Sequence, residues 1–234
     1  MLVNHISKIM KRTTKYVAAI LLSLAFQSSY AQREMYITTG GEMLFQTSEV
    51  TSGGTDLQTN MRWTIFLHLG SYAHIDFTNN IGMFSGLALR NVGFITNEGT
   101  EKKIRRTYNL GIPLALKVGL FDKKMYVFGG AEYEWLFHYK EKYWPNSNGG
   151  RDGDKIKSTK WFSSRVNSLI PSVFIGIALP GGFNVKYKVY LENYMNQSYA
   201  DVNGDLIYKD LDVNVNYISI SWNMRNSGFT KTSD

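Results

Sequence analysis

The sequence predicts an all-β chain closed into an eight-stranded antiparallel transmembrane β-barrel, and three observations predict it. Apolar residues fill every even position from Tyr108 to Leu120, while Asn109, Gly111, Pro113, Ala115, Lys117 and Gly119 fill the odd ones. A period of two that sets small and basic residues against an unbroken apolar face suits a strand between lipid and a polar interior. Beyond residue 31 there is no apolar run of about 18 residues, so any membrane span has to be built of strands. Short, turn-rich connections alternate with longer polar ones, which is the order of a barrel whose termini lie on one side.

The chain opens with a segment that explains how such a barrel reaches a membrane. Residues 1–31 contain no acid, carry Lys8, Lys11, Arg12 and Lys15, run apolar from Tyr16 to Phe26, and finish Ser29-Tyr30-Ala31. This reads as a secretory signal peptide cleaved after Ala31, because the apolar run is shorter than the roughly 20 residues of a spanning helix. Residues 32–234 are then the barrel domain, and the cell outer membrane is the expected location.

Eight period-two segments follow in order: 35–46, 60–75, 81–95, 104–121, 125–140, 162–179, 183–197 and 213–224. About 9–11 residues of each would cross the hydrocarbon. In the third, Leu87 and Leu89 oppose Ala88 and Arg90. The fifth sets Val127, Gly129, Ala131, Tyr133, Trp135, Phe137 and Tyr139 against Gly130, Glu132, Glu134, His138 and Lys140. In the seventh, Phe183, Val185, Tyr187, Val189 and Leu191 alternate with Asn184, Lys186, Lys188, Tyr190 and Glu192. The eighth changes phase: Val213, Val215 and Tyr217 are odd, whereas Ile218, Ile220 and Trp222 are even. A bulge or a loop end would produce such a slip. Thr78-Asn79-Asn80, Asp122-Lys123-Lys124 and Pro180-Gly181-Gly182 read as tight turns. Residues 47–60, 96–103, 141–160 and 197–211 read as the longer connections on the other side.

Charge and cysteine content narrow the function. The chain has 26 Lys+Arg and 19 Asp+Glu, a net of +7; without the four basic residues of the signal segment, 22 face 19 and the net is +3. That surplus is too small and scattered for nucleic acid. Cysteine is absent, which excludes disulfides, thiolate metal sites and a cysteine nucleophile. Stability must come from a packed core or a closed barrel.

The block Gly111-Ile112-Pro113-Leu114-Ala115-Leu116-Lys117, followed by a short turn and Val127-Phe128-Gly129-Gly130, resembles the porin-family outer-membrane β-barrel domain of Bacteroidota. His74-Ile75-Asp76-Phe77 leading into Ile81-Gly82-Met83-Phe84-Ser85-Gly86-Leu87 is similar to that family's second and third strands. The resemblance covers essentially the whole mature chain and implies a fold and a location, with no catalytic residue or ligand. The ending Thr230-Lys231-Thr232-Ser233-Asp234 departs from the terminal aromatic expected after a last strand.

An eight-stranded barrel is just wide enough for side chains to fill it. Here the interior would hold Glu42, Arg90, Lys117, Glu132, Glu134, Lys186, Lys188 and Glu192, with Lys117, Lys186 and Lys188 expected to neutralise Glu132, Glu134 and Glu192. Paired charges make a plug that fixes register; unpaired ones would line a narrow passive channel, the alternative reading. An embedded hydrolase or acyltransferase is less favoured. His68, His74 and His138 have no spacing that matches a triad or a metal motif, so no catalytic residue, cofactor or metal is assigned.

On the outside, residues 140–155 combine aromatics with mixed charge in the longest loop, and Tyr143, Trp144 and Arg151 are the candidate recognition residues. Asp152-Gly153-Asp154 and Asp201-Val202-Asn203-Gly204-Asp205 offer oxygens but complete no calcium-binding loop, so they read as turns. The expectation is a monomer in outer-membrane lipid, with an extracellular ligand or surface partner at the long loops and a structural or recognition role.

Overall fold

The computed structural model describes residues 34–145, 150–151 and 153–226. The signal segment and the C-terminal residues 230–234 lie outside these. Among the described residues twelve strands occur: β1 (Glu34–Ser52), β2 (Thr55–Asp56), β3 (Gln58–Asn60), β4 (Arg62–Thr64), β5 (Leu69–Asp76), β6 (Ile81–Glu98), β7 (Glu101–Leu120), β8 (Met125–Trp144), β9 (Ile156–Trp161), β10 (Leu169–Ala178), β11 (Phe183–Tyr190) and β12 (Leu211–Arg225). Eight of them close a ring in the order β1, β5, β6, β7, β8, β10, β11, β12, every pair antiparallel, with β12 returning to β1.

Following paired residues once round the ring gives the stagger. From Glu34 the path runs through Asp76, Gly82, Lys117, Phe128, Gly176, Lys186 and Ser219, and returns to β1 at Leu44, ten residues further on. A stagger of ten over eight strands corresponds to a tilt of about 41° from the barrel axis.

The three predicted tight turns join strands at one end, where β1 and β12 also begin and end, with Thr38 opposite Arg225. In the first, Thr78 Oγ1 accepts hydrogen bonds from the backbone N–H of Asn80 (3.2 Å) and Ile81 (2.9 Å). The third uses Gly181 and Gly182 at φ 85° and 88°. A Cβ on Gly182 would stand 2.3 Å from the Asn223 carbonyl oxygen, so both space and dihedral demand glycine there.

At the far end the strands outrun their predicted limits. The expected loop 96–103 is strand almost to its tip, with only Gly99 and Thr100 between β6 and β7. Side-chain pairing sustains the ladder there, as Ile95 faces Ile104 and Phe94 faces Arg105. The expected second and sixth strands are each broken. β3 and β4 continue the slot of β5 between β6 and β1, interrupted where Leu67 turns left-handed (φ 58°). β9 continues the ladder of β10 on β8, interrupted at Phe162 (φ 49°). The expected strand 183–197 stops at Tyr190, because the chain then turns into the barrel mouth.

Three zones fill the interior. Leu44, Val50, Val92, Phe94, Leu136, Val213 and Val215 pack with Val166, Tyr194, Met195 and Tyr208 from the connections into one apolar core at the far end. Charged residues occupy the middle. Phe84, Ala115, Phe128, Phe174 and Ala178 form a smaller aromatic layer toward the turn end.

Outside, the prediction of a lipid face holds along most strands: Leu87, Ile112, Leu114, Leu116, Val127, Tyr133, Ile175, Ile218 and Ile220 are all exposed. Aromatics rim this belt at both ends. Trp135, Phe137, Trp161 and Phe162 stack on one another at the far end, and Phe183 stacks on Trp222 at the turn end. A closed ring around an apolar belt and two aromatic girdles makes the protein an outer-membrane-type β-barrel.

Candidate functional site

Six of the predicted interior charges meet in one layer at mid-barrel. They are brought together from four strands: Glu42 from β1, Arg90 from β6, Glu132 and Glu134 from β8, Lys186 and Lys188 from β11. Strand alternation aims each of them inward. Arg90 Nε lies 2.9 Å from Glu42 Oε2, and its Nη1 contacts Glu132 and, at 3.0 Å, Glu134. Lys186 Nζ is 2.7 Å from Glu42 Oε1; Lys188 Nζ is 2.7 Å from Glu132 Oε2 and 2.5 Å from Glu134 Oε1. Three cations face three carboxylates, so the layer is neutral.

Neutral donors complete it. Tyr190 Oη donates to Glu134 Oε2 at 2.5 Å and Asn109 Nδ2 to the same oxygen at 2.7 Å, while Arg90 Nη2 donates to Tyr72 Oη at 3.4 Å. Gly111 makes room for it, since a Cβ there would meet Glu132 Oε1 at 2.0 Å. Buried charges hold only when partnered in this way. The sequence reading missed Tyr72, Tyr190 and Asn109, although all three lie on the inward phase of their strands.

Two expected members are elsewhere. Lys117 pairs with Asp76 at 2.5 Å and donates to Tyr36 Oη at 2.8 Å, in a separate group at the turn end. Asp76 lies one residue beyond the expected second strand, 60–75, and is level with Lys117 across Gly82. Glu192 is exposed in the connection after β11, beyond the barrel wall, and neutralises none of the interior lysines.

A bulge corrects the fifth strand as well. Tyr108 faces His138 but Asn109 faces Leu136, so Phe137 is the extra residue and the phase reverses above it. Tyr139, expected on the lipid face, is therefore fully buried and donates to Glu141. His138 is turned outward, stacked between Tyr108 and Trp161. The eighth strand, by contrast, contains no bulge: its register with β1 is continuous from Leu211 to Arg225.

The recognition candidates separate too. Trp144 is buried, 7% exposed, with Lys155 Nζ 6.0 Å over its ring; Tyr143 is half-buried opposite Ile156; Arg151 is exposed. Asp201 forms the expected turn, its Oδ1 accepting from the backbone N–H of Asn203 and Asp205.

At His74 and His68 no base and nucleophile are poised. His74 Nδ1 lies 3.4 Å from the Lys117 ammonium, which can only donate, so the proton sits on Nε2 and is directed to Thr38 Oγ1 at 3.0 Å. His74 thus cannot accept the Thr38 proton. His68 Nδ1 accepts from the Asn91 backbone N–H at 3.3 Å, a structural bond at the strand break. Among the described residues no three His, Asp, Glu or Cys side chains gather as a metal site.

Fold and interior together define an integral outer-membrane β-barrel with a neutralised ionic layer. No family model and no curated protein sequence matches the chain. Among solved structures it is similar to Ail of Yersinia pestis in complex with the heparin analogue sucrose octasulfate, at 12% identity over 81% of this chain and 99% of that one, TM-score 0.42. It is also similar to the outer-membrane protein OprG of Pseudomonas aeruginosa (10% identity, 83% and 97% covered, TM-score 0.35) and to CarO of Acinetobacter baumannii (13%, 78% and 96%, TM-score 0.36). The fold assignment rests on the closed ring and the apolar belt.

Proposed function

We propose that this protein is a closed barrel of the outer membrane, related to the porin-family domain it resembles in sequence, with a structural or recognition role at the cell surface. The observation that carries the proposal is the double obstruction of the interior. The six-charge layer crosses the middle, and Tyr194, Met195 and Tyr208 from the β11–β12 connection complete an apolar core above it. Tyr194 is fixed there, bonded to Thr107 and donating to the Val92 carbonyl at 3.1 Å. Recognition falls to the extended ends of β6, β7 and β8, which run well past the roughly 9–11 residues that cross a bilayer.

The channel reading has one observation in its favour. A cavity of about 720 Å³ opens at the turn end, and Tyr126, Asn184 and Asn223 line both it and a chamber of about 40 Å³ below Glu42, Arg90 and Lys186. Water entering from the periplasmic side would reach the ionic layer and stop. Conduction would require both the ionic layer and the apolar core above it to open. Refolded protein in a planar bilayer should therefore show no steady current; a stable current that changes ion selectivity in Lys188→Glu with the barrel still folded would replace the closed barrel by the channel.

A further inference from the structure

Above the aromatic girdle the outward face of β7, β8 and β9 changes character within a few residues. Tyr108, His138 and Trp161 form one cross-strand row; the next row up is Arg106, Lys140 and Thr159, and the one after it Ile104, Lys142 and Lys157. Facing residues in a ladder share a side of the sheet. Arg106, Lys140, Lys142 and Lys157 therefore lie on one outward patch, with the Lys140 ammonium 5.2 Å over the Tyr108 ring.

The carboxylates of these strands face the other way. Glu101 Oε2 is 3.1 Å from Lys103 Nζ, and Glu141 Oε2 is 3.4 Å from Arg105 Nε, both on the interior side. Among the described residues, none of the four outward cations pairs with a carboxylate. Like charges in adjacent ladder positions repel. Lys142 registers this: burial pushes its ammonium below the usual lysine range, and Arg106, Lys155, Lys157 and Lys140 push it further. The interior side of the same sheet balances its charges; on the outward side no carboxylate among the described residues does so.

Height selects which anion. With a rise of about 3.3 Å per residue and the tilt of about 41°, the two basic rows stand roughly 5 and 10 Å above the Tyr108–His138–Trp161 row. Trp161 and Phe162, both more than 60% exposed, mark where that row meets the interface. The headgroup layer beyond the hydrocarbon is on the order of 5–8 Å deep. The basic rows thus lie at its level and just outside it. We propose that Arg106, Lys140, Lys142 and Lys157 form a binding strip for phosphorylated headgroups of the outer-leaflet lipid around the barrel. The inference rests on the outer-membrane placement and is independent of whether the barrel conducts.

The test uses the full mature chain refolded into phosphatidylcholine nanodiscs that carry a small fraction of bisphosphorylated lipid A or of the same glycolipid stripped of phosphate. Native mass spectrometry reads how many of each remain bound. Enrichment of the phosphorylated form on the order of tenfold is expected. It should fall to parity in the variant Arg106→Gln/Lys140→Gln/Lys142→Gln/Lys157→Gln and fall partway in Lys142→Gln/Lys157→Gln, which touches only the outer row. Lys123→Gln/Lys124→Gln at the opposite end should leave it unchanged. Equal retention of both lipids, retention by the folded four-site variant, or displacement by millimolar inorganic phosphate would overturn the strip. A barrel that fails to enter the bilayer, read as absence of a heat-modifiable band, would instead overturn the placement itself.

Discussion

The two halves of β12 carry opposite patterns. In the outer half, Val213, Val215 and Tyr217 point inward and are fully buried, while Asp212, Asn214 and Asn216 point out. In the half toward the turns, Ser219 and Ser221 point inward, and Ile218, Ile220 and Trp222 are exposed. The backbone does not slip between them, because pairing with β1 is continuous. What changes is the solvent. Where lipid surrounds the barrel, apolar residues go outside and polar groups are satisfied within. Where water surrounds it, the barrel has an ordinary apolar core. One strand therefore reads as two phases across the level where the membrane ends.

The same division separates the forces that hold each half. The outer half is packed by Leu44, Val92, Phe94, Val213 and residues folded in from the connections; the middle is held by six interlocked charges. The largest expected effect tests the middle. Lys188→Met leaves Glu132 and Glu134 sharing Arg90 alone, and should cost about 3–5 kcal/mol in reversible unfolding from bilayers. Wild-type stability in that variant would show that the ionic layer does not hold the barrel.

The next effect sharpens the boundary on β12. Ile218→Arg places a charge against lipid and should cost about 2–4 kcal/mol, whereas Asn214→Arg, on the same face four residues higher, should be close to neutral. Equal costs would erase the distinction between the two solvents. The smallest effect concerns the β6–β7 hairpin, outside the membrane. Burial would raise the Glu98 carboxyl, but Arg105 and Lys103 outweigh it and hold it at about 2, against 4.5 in the unfolded chain. A depressed carboxyl stabilises fully above about pH 4.5 and loses that contribution as pH falls toward 2. Amide protection factors at the hairpin tip, with the intrinsic pH dependence of exchange divided out, should fall across that window in wild type and stay flat in Glu98→Gln.

Several features of the site were legible in residue order. Alternation in β6, β8 and β11 placed Arg90, Glu132, Glu134, Lys186 and Lys188 inside, and their mutual neutralisation followed from the width of an eight-stranded barrel. Lys117 was also correctly turned inward, but its partner was not legible. Partnership between strands depends on stagger, and the ten-residue offset round the ring puts Lys117 level with Asp76 rather than with Glu132. Glu192 failed for a related reason. Its alternation continued past Tyr190, yet the chain turns there, where Asn193 Oδ1 accepts from the Met195 and Val213 backbone N–H groups at 3.1 Å each.

The residue order by itself determined the fold class, the number of wall strands, the tight turns and which face of most strands meets lipid. These are local properties, because a period of two and a glycine-rich turn are each decided within a few residues. Only the tertiary structure decided the pairing of the buried charges, the Phe137 bulge that sends Tyr139 inward, and the folding of residues 191–210 into the mouth. Each of these depends on which residues of distant strands come level, and ring closure with its stagger sets that level for all eight strands together.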